Sequence, residues 1–270
     1  MSENPRLDAL RNRIEEVARA SWPALEQHWR DGWLLRFADG YSRRSNSVYP
    51  LSSPPGDLPS RVKECEETFR REGLAPTFRM TGFQGPADLD ALLAQRGYER
   101  ITPTFVLHRP LIDWERVPLE HVEMHELSID DWIATFAALN GTPQLRTEAH
   151  RAILAATPRP LCLAVAGPGG RSVACGMAVL TNGFCGIFDV LTDPHERNQG
   201  FGTVQVQGLL NWARSQGATD AYLQVLQANR PALRLYEKLA FEVCYEYWYR
   251  VLPPVPPPTD SRIGRPTPRR

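Results

Sequence analysis

The run Arg197-Asn198-Gln199-Gly200-Phe201-Gly202 has the residue types needed to hold a pyrophosphate. Glycine at 200 and 202 removes the Cβ that would keep an anion away from the backbone. An apolar-periodic segment opens at the same point, and a helix beginning there aims unpaired N–H groups and the positive end of its dipole at one spot. Arg197 can add a charge-assisted contact from the flank. Such a pattern would arise about 0.3 times by chance in a chain of this length at ordinary residue frequencies. Its weight therefore depends on the elements around it.

Those elements follow in a fixed order. An apolar strand precedes the loop. A helix from Gly200 to Gln216 ends at Gly217, Ala221 to Leu226 reads as a buried strand, and Asn229 opens a helix containing Ala232, Leu235 and Tyr236. Phe241 to Val251 is again strand-like. Upstream, the pattern predicts a strand at His121 to Leu127 and helices near Ile129 to Leu139 and Arg146 to Thr157. Three strands follow, Leu161 to Ala166, Arg171 to Leu180 and Phe184 to Leu191.

The sequence of strand, Arg-x-x-Gly-x-Gly, helix, strand, Asn, helix with Leu-Tyr, and strand resembles the GCN5-related N-acetyltransferases (GNAT), most closely from about His121 to Val251. The resemblance implies acetyl-CoA as co-substrate and no metal. Its pyrophosphate would meet the loop of Arg197, Asn198 and Gln199 and the amides of Gln199, Gly200, Gly202 and Thr203. Its pantetheine arm would run beside Val190, Leu191 and Thr192, where the family's fourth strand bulges and splays from the fifth. Asn229 falls at the family's Asn after strand five, and Tyr236 at its usual general acid, a phenol that can protonate the departing thiolate. Asp189 and Glu246 are candidates for the base, with a water chain as the alternative. Two positions depart from the family pattern. Ala240 stands for the glycine of the Leu-Gly-Phe corner, where a positive φ would cost on the order of 1 kcal/mol. Thr192 stands for the frequent Val.

The first half echoes the second. A helix from Ser60 to Glu72 ends at Gly73, a strand spans Thr77 to Met80, a helix Ala87 to Arg96, and Gly97-Tyr98-Glu99 leads into a strand from Ile101 to Arg109. Gly73 precedes Gly217, and Phe78 precedes Tyr222, by about 144 positions, an offset typical of a duplicated fold. The alternative is punctuation shared by any two α/β units. The echo fails where chemistry would sit. Ser52 to Asp57 carries no glycine loop, and Leu93 falls where the second half has Tyr236. The reading is an α/β (α+β) chain of two GNAT-like domains, each a mixed, mostly antiparallel sheet flanked by helices. A degenerate N-terminal domain spans 1–114, a competent one 115–252, and a Pro/Arg-rich extended tail 253–270. The amphipathic opening helix, with Leu7, Leu10, Ile14, Val17, Ala18 and Trp22 at helical spacing, reads as core. The polar run Tyr41 to Tyr49 reads as a strand that is either solvated or one wall of a substrate cleft. In the second case Arg43 and Arg44 would favour acceptors carrying an acid group, and Asn46 would contact them.

Whole-chain properties bound these readings. Two hundred and seventy residues with 42% hydrophobic content can bury one core or two. The 31 basic and 31 acidic residues cancel, which argues against nucleic-acid or membrane-surface partners. Cys65, Cys162, Cys175, Cys185 and Cys244 are odd in number and form no C-x-x-C pair, as expected of reduced cytoplasmic thiols. Neither a signal-type segment nor a membrane-length apolar run is present. Gly167-Pro168-Gly169-Gly170-Arg171 lacks the Lys-Ser/Thr of a phosphate loop and reads as a hairpin turn, His195 as a solvated loop residue, and His121 and His125 lack a third metal ligand. The expected activity is transfer of acetyl to a primary amine of a small-molecule acceptor, by a chain whose tandem halves could act as a pseudo-dimer within a monomer. A transferase of longer acyl groups, or a non-catalytic acyl-CoA-binding regulatory module, are the alternatives.

Overall fold

Helix α1 (Pro5–Ser21) starts where the Asn4 side chain accepts from the Leu7 amide, with Pro5 at the first turn, and it buries Ile14, Val17 and Ala18. The computed structural model describes residues 4–119, 123–141 and 144–253; His121 and the tail beyond Pro253 lie outside them. After α1, strands β1 (Glu26–Arg30) and β2 (Trp33–Phe37) form a hairpin that the sequence reading did not separate. Asp31 and Gly32 at its tip both have positive φ, the backbone that matches strand twist in a two-residue turn. The remaining elements lie close to their predicted places. They are β3 (Val48–Pro50), α2 (Leu58–Arg71), β4 (Thr77–Thr81), α3 (Leu89–Gln95) and β5 (Glu99–Pro110) in the first half. The second half holds β6 (Glu123–Glu126), α4 (Ile129–Asn140), α5 (Gln144–Ala156), β7 (Leu161–Gly167), β8 (Ala174–Thr181), β9 (Phe184–Thr192), α6 (Phe201–Ser215), β10 (Asp220–Leu226), α7 (Arg230–Lys238) and β11 (Glu242–Val251).

The strands join edge to edge in one mixed sheet of order β1-β2-β3-β4-β11-β5-β10-β9-β8-β7-β6. The two halves interleave at its centre. Strand β11 lies between β4 and β5, and β5 lies between β11 and β10, all antiparallel. Exchanging β4 with β10 and β5 with β11 turns the order of these four strands onto itself. Each half therefore completes the other's sheet.

The internal echo extends to individual hydrogen bonds. Leu74 N donates to Phe69 O and Ala218 N to Ala213 O, both at 2.9 Å; Tyr98 N donates to Leu93 O and Phe241 N to Tyr236 O, both at 3.0 Å. Gly73 and Gly217 take positive φ at the first pair of corners, and Gly97 and Ala240 at the second. Ala240, at φ +55°, thus occupies a left-handed corner that glycine fills in the first half.

Alternating strand residues feed two cores on opposite faces of the second half's sheet. Leu163, Val165, Met177 and Tyr222 pack with α1, α4 and α5, while Cys162, Ala164, Ala221 and Leu223 pack with α6 and α7. A third core under α2 and α3 holds Phe69, Phe78, Leu89 and Leu93. Across the halves, Glu15 on α1 receives a bidentate pair from Arg79 on β4 at 2.5 and 2.8 Å and the Tyr245 hydroxyl of β11 at 2.5 Å. Burial alone would lower the Arg79 pKa, but Glu15 beside it holds the guanidinium well above its usual range. The five cysteines are all buried. Among the described residues, no helix is long and apolar enough to cross a membrane, and no group of three or more His, Cys, Asp or Glu could hold a metal ion.

The polar run is a strand only from Val48 on. Arg43–Ser45 form a single 3-10 turn, and Ser45, Asn46 and Ser47, in and just after it, are buried. Asn46, 7% exposed, is consumed by the loop itself. Its Oδ1 accepts from Ala38 N and Gly40 N, and its Nδ2 donates to Ala38 O and Ser42 O.

Candidate active site

The site begins with a defect in β9. Against β8, the pairing runs Cys175 with Leu191 and then Met177 with Phe188, so β9 carries one extra residue. Asp189 absorbs it at φ +51°, a left-handed conformation uncommon outside glycine. On its other edge β9 pairs in parallel with β10 only as far as Ile187 with Leu223. Strand β10 continues to Leu226 while paired with β5, so β9 and β10 part here.

A cleft of about 420 Å³ opens between them. Its walls are Ile187 to Val190 on β9, Gln224 to Leu226 on β10, and Asn229, Ala232 and Tyr236 on and before α7. The first half supplies Ser42, Arg43, Arg44, Thr102 and Thr104, and Tyr247 and Tyr249 come from the exchanged strand β11. Of the polar run, residues 42–44 line this cleft and Asn46 does not.

Tyr236 is 7% exposed and packs edge-on to Phe241 with ring centres 6.0 Å apart, and its hydroxyl makes no hydrogen bond to another described residue. Burial pushes its phenol up to about 12. Asn229 caps α7, its Oδ1 accepting from the Ala232 amide at 3.3 Å, which leaves its Nδ2 for the cleft. Val190 lines the cleft, whereas Leu191 and Thr192 pair with β8.

The glycine loop lies beyond the end of β9. Asp193 Oδ1 accepts from His195 N at 2.8 Å, Asn198 has φ +64°, and Gly200, at φ +88°, opens α6 without a side-chain cap. Thr203 N and Val204 N both donate to Gly200 O, at 2.9 and 3.1 Å. Thr203 is therefore partly engaged, and Phe201 and Gly202 carry the free amides of the first turn. Glu196 is held between Gln199 Nε2 at 2.8 Å and Arg171 Nη1 at 3.1 Å. Arg197 is exposed, with no acidic partner among the described residues. Glycine at 202 also serves the packing of α6. A Cβ there would meet Leu235 Cδ1 and Thr192 Oγ1, both at 3.1 Å, so this glycine lets α6 approach α7 and the end of β9.

At the bulge, Asp189 Oδ1 lies 3.6 Å from Arg44 Nη2, and its Oδ2 lies 3.0 Å from His150 Nε2, off the line of a good hydrogen bond. His150 is 1% exposed and enclosed by the rings of Trp22, Tyr41, Trp132 and Phe136. Arg44 stacks over Trp22 at 4.2 Å. Sequence reasoning named Asp189 and the run from Tyr41 and missed His150 and the pairing of Arg44 with Asp189, since no motif links α5, the first half and β9. Glu246 is not at the site. It is exposed, beside Gln227 at 2.6 Å and Arg100 at 3.9 Å.

A sheet that splays at a bulged strand, beside an uncapped helix start and a buried tyrosine, is the arrangement that the resemblance to GCN5-related N-acetyltransferases implies. Solved structures share the fold. A GCN5-related N-acetyltransferase from Kribbella flavida superposes with a TM-score of 0.69 at 17% identity, covering 93% of this chain and 97% of that one. A tandem GNAT protein from the clavulanic acid biosynthesis pathway gives 0.60 at 13% identity, covering 90% and 88%. In sequence, the uncharacterized N-acetyltransferase YobR of Bacillus subtilis is 28% identical over 254 residues, covering 88% of this chain and 97% of its own. The family model described as "Probable histone acetyltransferase Rv0428c C-terminal" matches residues 9–250. The chain belongs to this family and is a GNAT-type acetyltransferase.

Proposed function

We propose that the chain transfers acetyl from acetyl-CoA to a primary amine of a small molecule, in the cytoplasm, with one reaction site, carried by residues 115–252. The observation that carries this reading is the parting of β9 and β10 after Ile187 and Leu223, with the uncapped start of α6 following β9 in the chain. In residues 1–114 the corresponding helix, α2, starts under a side-chain cap from Asp57, and the buried Leu93 stands in place of Tyr236, so their part is to close the cleft through Ser42 to Arg44 and β5.

The residues fit the donor. Phe201 and Gly202 amides, with Arg197 beside them, suit the pyrophosphate, and the edges of β9 and β10 that lack a partner suit the two amides of the pantetheine arm. Val190 and Ala232 give that arm apolar walls, and Asn229 Nδ2 a donor. Bound acetyl-CoA supplies an activated acyl group. The protein holds the amine nitrogen against the thioester carbonyl, gaining rate through proximity. As the C–N bond forms and the C–S bond breaks, Tyr236 gives its phenolic proton to the sulfur. An acceptor entering as an ammonium first gives one proton to Asp189, beside His150, which passes it to solvent; the proton that the nitrogen sheds as the amide forms leaves by the same route and restores Tyr236, so the residues end as they began. With its pKa near 12, Tyr236 remains protonated and ready throughout the neutral range.

The test is thiol release from acetyl-CoA on addition of primary amines, with the acetylated product identified by mass. Release that depends on the amine supports the reading. A folded protein that fails to bind acetyl-CoA contradicts it.

A further inference from the structure

A second cavity, of about 360 Å³, adjoins the first and shares Ser42, Arg44 and Asp189 with it. Tyr41, Arg146 and the end of α4 close its other sides. Asp189 therefore stands where two chambers meet, one lined by Tyr236 and the other by Arg146. Resting on the acetyltransferase reading above, we propose that the second chamber is the acceptor's, and that its acceptor is an amine that also carries a carboxylate.

The argument is one of charge. Asp189 is the negative group at the junction, 11% exposed, and its bulged left-handed backbone directs it away from the regular pleat. An ammonium entering from the second chamber would meet this carboxylate beside the thioester end of the first. Two arginines face the same space. The charge of Arg44 is already engaged, since it pairs with Asp189 and stacks on Trp22 and Phe188. Arg146 has no acidic partner among the described residues and lies near enough to influence the Tyr41 hydroxyl. An acceptor bearing only an amine would leave Arg146 opposed to its positive charge. One with a carboxylate on the far side of the amine would satisfy Arg146 and Asp189 together, a pairing that selects by attraction and by repulsion. The Tyr41 ring, stacked on His150 with centres 4.7 Å apart, gives the chamber a flat apolar side for the acceptor's carbon chain.

The experiment compares matched acceptors, each an amino acid and the amine left when its carboxylate is removed, with acetyl-CoA affinity measured separately by calorimetry. The full chain should acetylate the carboxylate-bearing member with at least a tenfold higher kcat/KM. Arg146→Ala should raise KM for that member tenfold or more and lower the KM of the matched amine, leaving kcat and acetyl-CoA affinity nearly unchanged, and Arg146→Lys should recover part of the loss. Preference for the carboxylate-free member, turnover of neither member of any pair, or an equal effect of Arg146→Ala on both would overturn the inference while leaving acetyl-CoA binding intact. Loss of acetyl-CoA binding in the unmodified chain would instead overturn the reading on which it rests.

Discussion

Ile187 and Leu223 form the last paired position between β9 and β10, and two residues beyond Ile187 the chain turns left-handed at Asp189. One local defect thus does two things. It leaves strand edges without a partner, where the proposed reading lays the donor's arm, and it sets a carboxylate at the junction of the two chambers. The backbone strain is small, about 1 kcal/mol for a non-glycine residue at such φ, and the ladder to β8 on the other edge holds it in place.

Tyr236→Phe keeps the ring against Phe241 and removes only the proton. We expect kcat to fall by roughly 10- to 1,000-fold with acetyl-CoA affinity little changed. Because burial pushes this phenol up to about 12, the wild-type rate should show no alkaline loss assignable to Tyr236 until the pH nears that value. Turnover of the variant at the wild-type rate, with chemistry limiting, would take Tyr236 out of the mechanism.

Glu15→Gln tests the buried pair that fastens α1 to β4 and β11. The variant leaves the Arg79 guanidinium buried without a countercharge, so stability should fall by about 3 kcal/mol. Chemical denaturation measures this directly. A loss under about 1 kcal/mol would mean that the surrounding tyrosines and water satisfy Arg79 unaided.

Ala240→Gly relieves the left-handed corner between α7 and β11. With the same hydrogen bond made by Gly97 and Tyr98 in the first half, the substitution should raise stability by about 1 kcal/mol without changing kcat. Unchanged or lower stability would place the cost of the extra backbone freedom of glycine in the unfolded chain above the strain relieved.

Much of this was legible in the residues. The Arg197 to Gly202 loop, the strands on either side of it and the helix bearing Leu235 and Tyr236 carry local signals of period and punctuation, and each lies within a few residues of its predicted place. The echo between Gly73 and Gly217 was legible for the same reason. What was not legible depends on partners distant in the chain. Nothing in the pattern of Glu242 to Val251 says that it will lie between β4 and β5, because alternation sets which side chains share a face and leaves the neighbouring strand open. Glu15 sits in a charged helical stretch and reads as solvated until Arg79 is brought beneath it. Asn46 reads as an exposed polar residue for a similar reason. A loop that spends an amide side chain on its own backbone looks, in sequence, like a surface. His150 belongs to an amphipathic helix, and only the fold brings it to Asp189.

The claim that two duplicated halves make one reaction site is tested most directly by calorimetric titration of the whole chain with acetyl-CoA. The account predicts saturation at one equivalent per chain, since in the first half Asp57 caps the start of α2, where α6 starts uncapped, and Leu93 stands in place of Tyr236. Saturation at two equivalents, or no binding by the folded protein, would contradict it.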